Sequence, residues 1–104
     1  MYFLKKTSEF NKVFNTVEKK IYGKFFILII SKNKEEELKI GLSIGKKVGN
    51  AVTRNRVKRR IKAYFRDFYS FKVNKSVVLI GKPQAGESSW KQIKNDLNYV
   101  FARV

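Results

Sequence analysis

The sequence predicts an α+β domain: a two-layer α/β sandwich in the order α-β-β-β-α-β-α, with helices packed on a small mixed four-stranded sheet. Three observations carry this expectation. Three segments repeat apolar residues at helical spacing, and four are short apolar or alternating runs of strand type. The chain's 104 residues, 43% hydrophobic and 14% aromatic, suffice for one core and so for a single domain spanning 1–104. No repeat, linker or low-complexity segment interrupts the pattern.

Phe10, Val13, Phe14 and Val17 follow the i, i+3, i+4, i+7 pattern of an amphipathic helix, expected from about 8 to 16. Thr7 or Ser8 can cap it, with Glu9 in the first turn where the helix dipole favours an acid. Residues 19–22 suit a short edge strand ended by Gly23, and 24–30 read as a strand apolar on both faces. The polar run 32–37 is a hairpin loop. Leu38, Ile40, Leu42 and Ile44 then alternate with Lys39, Gly41, Ser43 and Gly45, which is strand periodicity. Lys46-Lys47-Val48-Gly49-Asn50 leads into a second helix, about 51 to 68, whose Val57, Ile61, Tyr64, Phe65 and Phe68 fall within about 100° of arc. Residues 76–80 form another buried strand, and Lys82-Pro83-Gln84-Ala85-Gly86 breaks the pattern. Ser88 or Ser89 caps a last helix with Trp90, Ile93, Leu97, Val100 and Phe101 on one face. If the third and fourth strands are parallel neighbours, the second helix is their crossover, right-handed by the general rule.

Charge narrows the function. There are 24 Lys and Arg against 8 Asp and Glu, a formal net charge of +16. Self-repulsion on that scale works against a compact state, and a polyanionic partner is its usual reason. Nucleic acid is favoured over an anionic membrane, because the longest apolar run, 25–30, falls far short of the ~20 residues of a spanning helix. The N-terminal Met1-Tyr2-Phe3-Leu4-Lys5-Lys6 turns polar too soon for a secretory signal, so a cytoplasmic location is expected. Cys and His are absent, which removes disulfides, thiolate nucleophiles, Cys/His zinc sites and imidazole chemistry. Glu35, Glu36 and Glu37 are consecutive in a loop, and Glu9, Glu18, Asp67, Glu87 and Asp96 are scattered. No protein active site or metal site is expected from them.

The second helix carries the strongest motif. Positions 54–62 hold six Lys and Arg in nine residues, and Arg56, Lys58, Arg59, Arg60, Lys62 and Arg66 surround the arc left by the apolar stripe. The bland reading is a solvated surface. Solvated helices mix both signs, however, and here the only acid is Asp67 at the far end. Arginine's planar fork suits bidentate phosphate contacts, the helix start offers free N–H groups to an anion, and Asn55 can bond a base edge or sugar.

The segment Gly41-Leu42-Ser43-Ile44-Gly45-Lys46-Lys47-Val48-Gly49-Asn50-Ala51-Val52-Thr53-Arg54-Asn55-Arg56-Val57-Lys58-Arg59 resembles the signature of the bacterial ribonuclease P protein family. The likeness extends to Leu4-Lys5-Lys6, Glu9-Phe10, Val13-Phe14, the Phe25 strand, Lys82-Pro83 and the last helix. It implies a subunit that assists a catalytic RNA in the magnesium-dependent removal of the 5′ leader from precursor tRNA, with the magnesium used by the RNA and no cofactor held by the protein. It also implies a left-handed crossover through the second helix. Arg54, Asn55, Arg56, Lys58, Arg59 and Lys62 would contact the catalytic RNA. Phe10, Phe14, Phe26, Leu28, Ser43, Lys46 and Lys47 would line the cleft for the single-stranded leader, with Leu28 where relatives often place a Tyr.

The residues by themselves leave Phe10 and Phe14 open to a second reading as plain core. They also leave open a structural, ribosomal-type RNA-binding protein. A DNA-binding regulator lacks the positioning helix it would need before Arg54, so neither DNA nor membrane is expected as a partner.

Overall fold

A computed structural model describes residues 2–34, 37–67 and 74–104. Glu35 and Glu36 of the expected hairpin loop, and Phe68 of the expected stripe, lie outside these residues. The elements are β1 (Tyr2–Phe3), α1 (Thr7–Asn15), β2 (Lys19–Tyr22), β3 (Phe26–Lys32), β4 (Lys39–Ser43), α2 (Ala51–Asp67), β5 (Lys75–Gly81) and α3 (Trp90–Phe101). Two 3₁₀ turns, Lys46–Val48 and Pro83–Glu87, precede α2 and α3.

The sheet is mixed, in the order β1-β4-β5-β3-β2, so it has five strands rather than the expected four. The extra strand is β1, parallel to β4. Tyr2 N–H donates to the Leu38 carbonyl at 2.9 Å and Leu4 N–H to the Ile40 carbonyl at 2.7 Å. Two residues show no period, which is why sequence pattern overlooks such a strand. β4 and β5 are parallel neighbours joined through α2, and β3 runs antiparallel to both β5 and β2.

One face of the sheet is closed by α2 and α3. Phe26, Leu28, Ile30, Ile40, Val77 and Leu79, none more than 2% exposed, pack against Val57, Ile61, Tyr64 and Phe65 of α2 and Ile93, Leu97, Val100 and Phe101 of α3. This is the expected sandwich, and burial of each such side chain contributes about 1.5–3 kcal/mol. The Phe65 ring meets Phe3, Tyr64 and Phe101 edge-on, with centroids 6.3, 5.3 and 5.0 Å away. Ser89 caps α3 as expected, accepting from Gln92 N–H at 3.1 Å. Asp96, although acidic, is buried here. Its carboxylate accepts the backbone N–H groups of Lys24, Phe25 and Phe26 at 2.7, 2.9 and 3.0 Å, tying α3 to the β2–β3 turn.

Among the described residues, the opposite face is covered by α1 and by Leu4 just before it. Val13 and Phe10 pack on Ile29 and Val78, and Phe10 lies over Gly41 so closely that a Cβ there would come within 2.5 Å of its ring. Thr16 Oγ1 lies 2.6 Å from Ser31 Oγ. The helix starts from Lys6 rather than from a Thr7 or Ser8 cap: Glu9 reaches back and accepts the N–H groups of Lys5 and Lys6 at 3.0 and 2.9 Å. Those bonds hold the Glu9 carboxyl below the usual carboxylate range. Val17 falls past the helix end and is exposed. Nine residues at ~1.5 Å each span only part of the sheet, so among the described residues part of this face stays open.

Candidate nucleic-acid interface

The interface begins where β4 ends. Ser43 is exposed on the α1 side of the sheet, and the 3₁₀ turn that follows presents Lys46 and Lys47 to solvent while Val48 enters the core. This turn is pressed against the Pro83–Glu87 turn, since a Cβ on Gly86 would collide with the Val48 carbonyl oxygen. Gly49, at φ +154, takes the backbone conformation that lets the chain swing into α2, and a Cβ there would meet Thr53 at 2.8 Å. Asn50 then caps α2, its Oδ1 accepting Thr53 N–H at 2.9 Å.

The apolar stripe of α2 is buried as expected through Phe65. Tyr64 donates its hydroxyl to Asn98 Oδ1 at 2.6 Å, and burial pushes its pKa up. The six expected RNA-contacting residues divide into three groups. Asn55, Arg59 and Lys62 are exposed along one line of the helix; Lys62 Nζ stands 5.6 Å from the Phe3 ring centroid. Arg54 and Lys58 are half-buried beside that line, and Arg54 Nε is shut off from solvent with no hydrogen-bond partner among the described residues. Arg56 flanks the other side and donates to the Gly86 carbonyl at 2.9 Å; Arg60 likewise donates to the Ser88 carbonyl at 3.1 Å. These two arginines therefore also brace the Pro83–Glu87 turn. A carbonyl does not cancel their charge. The acid of the helix, Asp67, is held by its neighbour Arg66 at 2.9 Å, which lowers the Asp67 pKa.

The cleft differs from the expected one in its floor. Phe26 and Leu28 are both 0% exposed and face α2 and α3, so neither meets a ligand on the α1 side. Leu28, where relatives often place a Tyr, therefore lies outside the cleft it was expected to line. Residues 24–30 are apolar on both faces, so composition could not say which alternate set faces which helix, and a one-residue slip exchanges the faces. The α1 side is instead floored by Ile27 and Ile80, both half-buried, with Ser43 at the end of the same row.

Phe10 and Phe14 have separate fates. Phe10 is largely packed onto Gly41 and the Ile29–Val78 pair, close to its plain-core reading. Phe14 is 44% exposed. Glu9, Lys12 and Thr16 line a recess on one flank of α1, and helical spacing puts Phe14 on the other, beside the open floor. That recess, of about 760 Å³, also draws Lys32, Lys34 and Lys39 together. Sequence spacing does not reveal this grouping, because those lysines are far along the chain from the α1 residues they join.

The comparisons agree with this architecture. The family model described as Ribonuclease P matches residues 1–104. The ribonuclease P protein component of Bacillus velezensis is 36% identical over 101 residues, covering 97% of this chain and 87% of that protein. The Enterococcus faecalis component is 34% identical over 103 residues, covering 96% and 86%. The Staphylococcus aureus RNase P protein structure superposes with a TM-score of 0.89 at 29% identity, covering 99% of this chain and 94% of that one. The Thermotoga maritima RNase P protein shares the fold at a TM-score of 0.85 and 21% identity, covering 97% and 96%. A motif, a fold and a full-length family match thus converge, and the chain belongs to the ribonuclease P protein family.

Proposed function

We propose that the protein docks on the catalytic RNA of ribonuclease P through the exposed face of α2, and holds the 5′ leader of precursor tRNA between Phe14 and the open part of the sheet. The observation that carries this reading is the face of α2: Asn55, Arg59 and Lys62 exposed, further cations on both flanks, and its one acid already engaged by Arg66. Phosphates supply the charge this face lacks, and counterions released from the RNA favour association. Arg54 adds a specific point, since its unmet Nε donor is one that a phosphate oxygen satisfies. A neighbouring Lys46-Lys47 turn extends the cationic surface from the helix start to the mouth of the cleft.

In the cleft, an exposed Phe14 ring stacks on bases of any identity, at about 1–3 kcal/mol per base. Sequence-tolerant stacking suits a leader that differs from one precursor to the next. Cleavage chemistry belongs to the RNA on this reading, and magnesium is held there; the protein positions substrate and screens phosphate repulsion. Its place of work is the cytoplasm.

Reconstitution tests the proposal. The purified protein added to the catalytic RNA restores leader cleavage at a magnesium concentration where the RNA alone is slow. Absence of stimulation contradicts the assignment and favours a structural RNA-binding role. Cleavage by the protein without RNA moves the chemistry to this chain.

A further inference from the structure

The strand register sets four side chains in one line across the open part of the α1 side of the sheet. Tyr22 pairs with Ile27, Ile27 with Ile80, and Ile80 with Ser43. Directly paired residues share a face, and at ~4.8 Å per strand the line is about 14 Å long. The adjacent row, Lys20, Ile29, Val78 and Gly41, contains the residues that Val13 and Phe10 cover. The line itself lies beyond α1. Its middle members are half-buried and its ends exposed, Tyr22 at 62%.

The side on which Tyr22 stands is fixed by its neighbours. Ile21 is buried in the α2–α3 core, and a Cβ on Gly23 would meet Asp96 Oδ2 at 2.6 Å. Both therefore face α3, and strand alternation turns Tyr22 toward α1. A single exposed aromatic is ordinary on a surface. This one closes a row whose other end leads to Lys46 and Lys47, and exposed Lys20 and Lys24 stand two residues before and after it.

We propose that Tyr22 is a further leader-binding residue. The single strand enters beside Lys46 and Lys47, crosses Ser43, Ile80 and Ile27 perpendicular to the strands, and stacks a base on Tyr22 at the sheet edge, with Lys20 and Lys24 beside its phosphates. A base at that edge lies farther along the leader than the one on Phe14. The inference rests on the proposed leader cleft and adds its far end.

The test uses the reconstituted holoenzyme and precursor tRNAs whose leaders increase in length. Tyr22→Ala weakens binding of long-leader precursors about tenfold, the loss of one stacked base, and leaves short-leader precursors and mature tRNA at wild-type affinity. Tyr22→Phe keeps wild-type affinity, because the ring face is what stacks. Wild-type affinity of Tyr22→Ala for long leaders overturns the inference, as does an equal loss for mature tRNA or a Phe variant as weak as the Ala one. Tyr22 also borders a recess of about 520 Å³ shared with Asn95 and Tyr99. An equal loss in Tyr99→Ala moves the contact to the α3 side and overturns the path across the row. Phe14→Ala separates the two levels: if it weakens precursor binding and Tyr22→Ala does not, only the far end fails. If neither has an effect, the leader cleft itself fails.

Discussion

The two faces of one sheet have opposite characters in this protein. Beneath α2 and α3, the residues of β3 and β5 at alternate positions are sealed: Phe26, Leu28, Val77 and Leu79 are all 0% exposed. One residue away on the same strands, Ile27 and Ile80 are half-buried beside the flank of a nine-residue helix. Both sets are aliphatic or aromatic, so composition does not separate them. What separates them is how much helix each receives. The sealed face makes the fold, and the uncovered one leaves room for a ligand with its own apolar surface.

The contrast is sharpened most by truncation on the sealed side. Leu28→Ala removes a fully buried side chain where neighbours from β2, β5 and α3 cannot close the gap, and should lower unfolding free energy by about 2–5 kcal/mol. Denaturant titration reads this directly. Any folded fraction of the variant should bind precursor and mature tRNA with the wild-type ratio. A changed ratio would return Leu28 to the cleft.

On the open side the balance reverses. Phe14→Ala, at a position already 44% exposed, should cost little stability but weaken precursor tRNA relative to mature tRNA by about 1–3 kcal/mol, measured as binding to the holoenzyme. Equal losses for both RNAs would make Phe14 a packing residue like Phe10.

The smallest expected effect concerns how α1 is held on the open face. Glu9 is depressed by the N–H groups of Lys6 and Lys5, so its contribution is present above the ordinary carboxylate pKa and disappears as pH falls through the lower folded value. Thermal melts should therefore show Glu9→Gln closing part of its gap to wild type on acidification. A gap independent of pH would assign the Glu9 contribution to something other than its charge.

Much of this was legible in the sequence. The apolar stripes of α2 and α3, the alternation of β4, the Ser89 cap and the basic line of α2 all follow from periods that local physics imposes. The misses have two physical causes. β1 has two residues and so no period, and its existence depends on Leu38 and Ile40 offering carbonyls to Tyr2 and Leu4 from far along the chain. β3 is apolar on both faces from Phe26 to Ile30, so Phe26 and Leu28 were exchanged for Ile27; only the placement of α1 and α3 distinguishes them. The carbonyl contacts of Arg56 and Arg60 are likewise tertiary, and no spacing rule announces them.

The central claim is that the exterior of α2 exists to meet RNA phosphates, and Arg59 and Lys62 test it most cleanly because both are exposed and neither braces the Pro83–Glu87 turn. The decisive measurement is the affinity of Arg59→Ala/Lys62→Ala for the catalytic RNA across a range of salt concentrations. The account predicts weaker binding and a log–log slope shallower by about 0.7–0.9 for each phosphate that is no longer neutralised. A slope parallel to that of the wild-type protein would contradict it.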